Sequence, residues 1–270
     1  MYHIVLRRKY FAIFTYRSVS MKKQIPNIIT SLNLLCGCVA VLFAVSGDLV
    51  TAAFFVFFGI FFDFFDGLAA RLLKAQSDVG LQMDSLADVV TSGVAPAVVM
   101  VQLLSQAFNG TPYVIADVLH PHAWNSGFDN YLPLIGLLVA VASAYRLAKF
   151  NVDTRQTDSF IGLPTPANAL LILSLPLILE FQYSEGLEAV ILAPWFLVTL
   201  TVVSALLLNA ELPLFALKFK TWDVKTNLLR YLFLAVCVVA LLLLEFIAIP
   251  VIILLYIALS IGKNRAVKTA

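Results

Sequence analysis

Four aspartates in this chain stand where carboxylates are costly. Asp63, Asp66, Asp84 and Asp88 lie within two long apolar runs, and one ionised carboxylate at the centre of a bilayer costs at least ~2.5 kcal/mol. Simply summed, the set costs on the order of 10 kcal/mol, so something must compensate for it. Asp63, Asp66, Gly67 and Ala70 stand at i, i+3, i+4 and i+7, one face of a helix, and Asp84 and Asp88 stand at i, i+4 on the next run. Converging carboxylates repel unless protons or cations intervene, and an all-oxygen site favours a hard cation such as Mg²⁺ or Mn²⁺. Gly67 and Ala70 leave backbone open beside the acids for a bulky ligand, and Gly80 permits close helix approach. Arg71, one turn beyond Gly67, suits a phosphate or a carboxylate partner. Metal plus phosphate is the simplest chemistry that this face supports. Intramembrane charges can also serve helix packing or a transporter's proton relay, but four acids on two facing stripes with small residues interleaved favour a ligand site.

Two helices must bring these acids together. The turn between them falls near 76–79, marked by Lys74, Ser77 and Asp78. In an antiparallel hairpin centred near residue 77, Asp66 and Asp88 lie equally far from the turn, ~16 Å along each helix at the α-helical rise. The surrounding chain is built for lipid. Hydrophobic residues make up 61% and charged residues 13%, where soluble domains carry about a quarter charged, so a water-facing surface is excluded. The basic residues are dispersed and the net charge is +2, which excludes a nucleic-acid stripe.

Apolar runs fall at 27–45, 50–73, 82–106, 131–150, 165–182 and 189–209, near the 17–25 residues a span needs. A last stretch, 229–262, is broken by Glu245 and Pro250 and is either one kinked helix or a hairpin. Charge decides. With a hairpin, all 18 Lys and Arg residues fall on one side, in 1–26, after Arg71, and in 146–164, 210–230 and 263–270. A single helix strands Lys263, Arg265 and Lys268 on the other side, against positive-inside sorting. The expectation is an all-α polytopic membrane protein of about eight transmembrane helices, seven if the last is one kinked span, with the acids in the cytoplasmic half. Residues 1–20 form an extension, either an interfacial segment on anionic lipid or the product of an upstream start codon before Met21. Residues 21–209 form a six-helix catalytic region, and 210–270 a C-terminal hairpin.

The pattern Asp63-x2-Asp66-Gly67-x2-Ala70-Arg71-x8-Gly80-x3-Asp84-x3-Asp88 resembles, without departure, the signature of the CDP-alcohol phosphatidyltransferases. PNIITSLNLLCG at 26–37, DSLADVVTSGVAP at 84–96, YRLAKFN at 145–151 and GLPTP at 162–166 resemble its membrane-integral phosphatidylserine synthases. The resemblance touches 26–166. It implies that the phosphatidyl group of CDP-diacylglycerol passes to the hydroxyl of L-serine with release of CMP, at a bacterial inner membrane, in a homodimer. It also implies that Asp63, Asp66 and Asp84 ligate Mg²⁺ or Mn²⁺, and that Asp88 is the general base and touches a second metal. Gly67 and Ala70 would border the cytidine, with Arg71 and Gly80 beside the CDP-lipid. A sister enzyme with glycerol phosphate or inositol phosphate as acceptor shares the signature; a transporter is more remote.

Other residues carry two readings. Asn27 and Thr30 either hydrogen-bond the nucleotide or cap a helix after Pro26. Arg146 and Lys149 either snorkel as topology-fixing cations or, as the serine-synthase resemblance implies, bind the serine carboxylate or a phosphate. Thr91 and Ser92 are expected to shape the serine pocket. Cys36, Cys38 and Cys237 read as reduced buried thiols. His120 and His122 read as loop residues, Glu180 and Glu245 as span-end charges, and Asp153, Arg155 and Asp158 as a solvated loop.

Overall fold

The computed structural model describes residues 21–115, 131–153, 159–215 and 223–269. The extension 1–20 and His120, His122, Arg155 and Asp158 lie outside the described residues.

Helix α1 (Gln24–Val45, within a helical stretch opening at Met21) and α2 (Leu49–Leu72) form an antiparallel pair whose seam is legible at alternating steps of four and three. On α1 the buried positions are Pro26, Thr30, Asn33, Gly37, Ala40 and Ala44. On α2 they are Leu49, Ala52, Ala53, Val56, Gly59 and Asp66. Small residues let the outer halves of the helices touch. Towards the other end the same seam turns polar, and it carries the acids. Phe54, Phe58, Phe61, Phe64 and Leu42 point outward, as a lipid-facing surface requires.

Helix α3 (Asp78–Asn109) is the central element. Ser77 caps it by accepting a hydrogen bond from the Gly80 N–H, and Gly110, at φ 70°, ends it in the left-handed conformation. Its middle, Val89–Val94, is a π-helical turn. Pro96 supplies a physical cause: proline inside a helix lacks the N–H donor and its ring crowds the carbonyl four residues back, here that of Ser92, and a widened turn relieves both.

Helix α4 (Leu132–Val152) packs on the π turn. A mutual hydrogen-bond pair joins Ser85 to Asn151, at 3.2 and 2.9 Å in the two donor senses. Next come strand β1 (Ser159–Ile161), α5 (Thr165–Phe181) and a bent pair, α6 (Glu185–Ile191) and α7 (Pro194–Asn209), inclined at 54°. Strand β2 (Pro213–Phe215) pairs antiparallel with β1, Phe160 facing Leu214. This ribbon is a small departure from the all-α expectation. It is anchored at Gly162, whose φ of 77° and contact with the Leu208 carbonyl leave no room for a Cβ.

Helices α8 (Val224–Leu244) and α9 (Ala248–Thr269) complete the chain. Between them Glu245 adopts φ 46°, and the Phe233 and Tyr256 rings meet at 6.0 Å. A continuous helix would hold those residues ~34 Å apart, so the chain reverses at Glu245 and the hairpin reading holds over the kinked span. Gln182 clamps the turn by donating to the Leu244 carbonyl at 3.0 Å and accepting from the Ile247 N–H at 3.0 Å. Helices α1 to α4 are each long and apolar enough to cross a membrane, as is the bent α6–α7 pair taken as one span; the apolar stretch Arg230–Gly262 contains the reversal at Glu245, and α5 is shorter, at 17 residues. The first helix begins earlier than the expected residue 27, and the sixth run breaks before Pro194.

Candidate active site

The acids converge as their spacing requires. Asp63, Asp66 and Asp84 each present a carboxylate oxygen within 4.8 Å of the others. Three hard oxygen donors at that separation fit one divalent cation, which would offset their mutual repulsion. Asp88 lies outside this trio but beside it. Its Oδ1 accepts from Asn33 Nδ2 at 3.2 Å, and Asp63 sits within hydrogen-bonding reach of both Asp84 and Asp88.

Helix α1 orients the cluster. Thr30 Oγ1 lies 2.5 Å from Asp66 Oδ2 and 3.0 Å from the Pro26 carbonyl. One hydroxyl proton serves one acceptor, and the shorter contact to the charged oxygen takes it. Asp66 is only 5% exposed, so this donor meets a carboxylate that water barely reaches. Asn33, one turn further along the α1 seam, has the same relation to Asp88. Sequence reasoning missed Asn33; the signal was a polar residue in an apolar run, three positions after Thr30.

A cleft of about 810 Å³ opens beside the trio, lined among others by Asn27, Thr30, Asp66, Gly67, Ala70, Arg71, Gly80 and Asp84. All six residues expected at the CDP-lipid are therefore gathered around one space. A Cβ at Gly67 would meet nothing within 4 Å, whereas one at Gly80 would come within 3.3 Å of Asn27 Oδ1. Gly67 thus faces the open cleft and Gly80 seats α3 against α1. Arg71 donates from Nε to the Gly67 carbonyl at 3.0 Å, which leaves its terminal nitrogens to the cleft mouth. Asn27 does not cap a helix: the helical stretch opens at Met21 and encloses Pro26.

The residues expected at serine divide. Thr91 is wholly buried. It donates to the Asn33 carbonyl at 3.1 Å and is wedged between Gly37 of α1 and Gly59 of α2, neither of which could carry a Cβ without striking it. The seam closes there, and Thr91 packs into it. Ser92 is also buried, its hydroxyl without a hydrogen-bond partner. Arg146 is 8% exposed and leaves its Nε unpaired. Lys149 forms a half-exposed ion pair with Glu211 at 3.7 Å. Arg146 and Lys149 line a second, smaller pocket with Phe150, Ile161, Leu208, Asn209 and Ala210.

A helical membrane fold, an intramembrane acidic trio and an adjoining cleft define a membrane enzyme acting on a phosphate-bearing ligand. The family model for CDP-alcohol phosphatidyltransferase matches residues 23–208. The chain belongs to the CDP-alcohol phosphatidyltransferase family. It is similar to the CDP-diacylglycerol–serine O-phosphatidyltransferase of Bacillus subtilis, 35% identical over 170 residues, covering 62% of this chain and 80% of the relative. The enzyme of the same name from Helicobacter pylori is 31% identical over 214 residues, covering 78% of this chain and 79% of that protein. The one from Mycobacterium bovis is 31% identical over 242 residues, covering 86% and 75%.

Proposed function

We propose that this protein transfers the phosphatidyl group of CDP-diacylglycerol to the hydroxyl of L-serine, forming phosphatidylserine and releasing CMP. The observation that carries the reading is the trio of oxygens within 4.8 Å of one another beside the 810 Å³ cleft. The names of the relatives support serine as the acceptor.

Asp63, Asp66 and Asp84 would hold Mg²⁺ or Mn²⁺. Such an ion supplies charge neutralisation at the pyrophosphate and polarisation of its P–O bonds. The chain's own groups do the rest. Thr30 fixes Asp66 in its ligating orientation, the role outer partners of metal ligands commonly play. Asn27, Gly67, Ala70, Arg71 and Gly80 receive the CDP moiety, Gly67 offering bare backbone. Asp88, held by Asn33, takes the proton from the serine hydroxyl as it attacks phosphorus; CMP departs with the bonding electrons. Arg146 pairs with the serine carboxylate and keeps it within reach of Asp88, while Lys149 sits at the pocket rim. The catalytic unit is 21–209, with the C-terminal hairpin as an addition. The working form is a homodimer in a bacterial inner membrane, with its site open to the cytoplasm.

The test is CMP release from CDP-diacylglycerol by the purified protein, with no acceptor and with L-serine, glycerol phosphate or inositol phosphate. Release that depends on L-serine alone is expected. Release driven by another acceptor moves the protein to a sister activity, and cation flux without CMP release removes it from this chemistry.

A further inference from the structure

Two cavities meet at one aromatic ring. The cleft beside the acids and the small pocket beside Arg146 are separate spaces, and among the described residues only Phe150 lines both. Asn151, the next residue of α4, is hydrogen-bonded to Ser85, the neighbour of Asp84, so this end of α4 is held at the level of the acids. The pocket also has a side towards water, because Lys149 in its lining pairs with Glu211, whose side chain is 71% exposed. A line therefore runs from water past Lys149 and Arg146 to Phe150, and beyond the ring lies the cleft that Asp66 and Asp84 border. The pocket has about 10 Å³ free, room for one group the size of a water molecule. With the ring in this position, nothing larger than water passes from the pocket into the cleft.

We infer that Phe150 is a specificity-determining residue, a ring that closes the acceptor's way into the CDP-lipid cleft and swings aside to admit it. This rests on the proposal that the cleft holds CDP-diacylglycerol and that Arg146 binds the acceptor's carboxylate. The ring has room to move. It is 37% exposed and faces the open cleft, and a side chain not locked by close packing changes rotamer readily. A benzene ring and a serine molecule are of similar size, so the space the ring vacates, joined to the pocket, takes an acceptor whose carboxylate stays at Arg146. In the closed position the ring stops water in the pocket. Water is a competing nucleophile. Its oxygen would bond to the phosphorus bearing diacylglycerol, its proton would pass to Asp88, and CMP would leave with the bonding electrons, giving phosphatidic acid. An apolar ring across the route favours transfer over this hydrolysis.

The experiment measures phosphatidylserine and phosphatidic acid formed from CDP-diacylglycerol in the presence of L-serine. Phe150→Ala opens the wall and is expected to raise the ratio of phosphatidic acid to phosphatidylserine at least tenfold. Phe150→Leu, which keeps an apolar side chain in place should the alanine variant not fold, is expected to raise it less. That ratio is read within one preparation, so partial misfolding does not move it. Phe150→Trp is expected to obstruct the route, raising KM for serine at least tenfold with KM for CDP-diacylglycerol unchanged. If the alanine and leucine variants keep the wild-type ratio, the ring bars no water and the inference falls. A tryptophan variant with unchanged KM for serine, or one in which only KM for CDP-diacylglycerol rises, makes Phe150 a wall of the lipid cleft and overturns it equally. A wild-type protein that forms no phosphatidylserine overturns the proposed activity itself, which separates the two failures.

Discussion

Thr30→Val isolates the role of helix α1 in shaping the acidic trio. The substitution keeps shape and removes one hydroxyl, the donor 2.5 Å from Asp66 Oδ2. A hydrogen bond to a charged group contributes ~1.5–3 kcal/mol, and Asp66 is too buried for water to replace it freely. At ~1.4 kcal/mol per factor of ten, the affinity of the trio for its cation should fall roughly 10- to 150-fold, close to the loss usual for such outer partners. The assay is CMP release titrated with Mg²⁺ or Mn²⁺ at saturating CDP-diacylglycerol. The half-saturating metal concentration should rise by that factor, and excess metal should restore most of the rate. Thr30→Ser, which keeps the hydroxyl, should remain near wild type. The alternative role for Thr30, a direct bond to the nucleotide, predicts a raised KM for CDP-diacylglycerol with the metal dependence unmoved. That outcome refutes the reasoning.

Three further perturbations test separate links. Asp88→Asn should abolish turnover while CDP-diacylglycerol still binds, checked by equilibrium binding beside CMP release; near-normal turnover removes Asp88 from proton transfer. Gly67→Leu fills the open side of the cleft, where a Cβ meets nothing within 4 Å. It should weaken nucleotide binding without lowering the melting temperature, and unchanged affinity contradicts the placement. Gly37→Ala forces a Cβ within 2.9 Å of the Thr91 Cα, a backbone atom that cannot swing aside. Overpacking of this kind costs ~1–3 kcal/mol, so thermal unfolding in detergent should shift downward; an unchanged transition refutes the close helix contact.

The acids were legible in the sequence because charge in an apolar run demands compensation, and helical spacing says which charges share a face. The C-terminal hairpin was legible because a straight span would have left Lys263, Arg265 and Lys268 on the wrong side; the reversal at Glu245 supplies the turn. The packing around Thr91 was not legible for a physical reason. Thr91 continues the Asp84–Asp88 face, but Gly37 and Gly59 let three helices close around it, and glycines in a hydrophobic run do not announce which neighbour they admit. The π turn at Val89–Val94 had a visible cause in Pro96, although its length did not. Asn33 escaped notice because its importance lies in a partner 55 residues away along the chain, a relation that periodicity cannot express.

The central claim is that Asp63, Asp66 and Asp84 together hold one divalent cation beside the CDP moiety. Electron paramagnetic resonance of Mn²⁺ added to the purified protein, with ³¹P relaxation of bound CDP-diacylglycerol read in the same samples, tests it directly. Saturable Mn²⁺ binding that strongly broadens the pyrophosphate signals, with both effects lost in Asp66→Asn, is the predicted result. Mn²⁺ binding that Asp66→Asn leaves intact, or nucleotide phosphates that do not sense the ion, would contradict it.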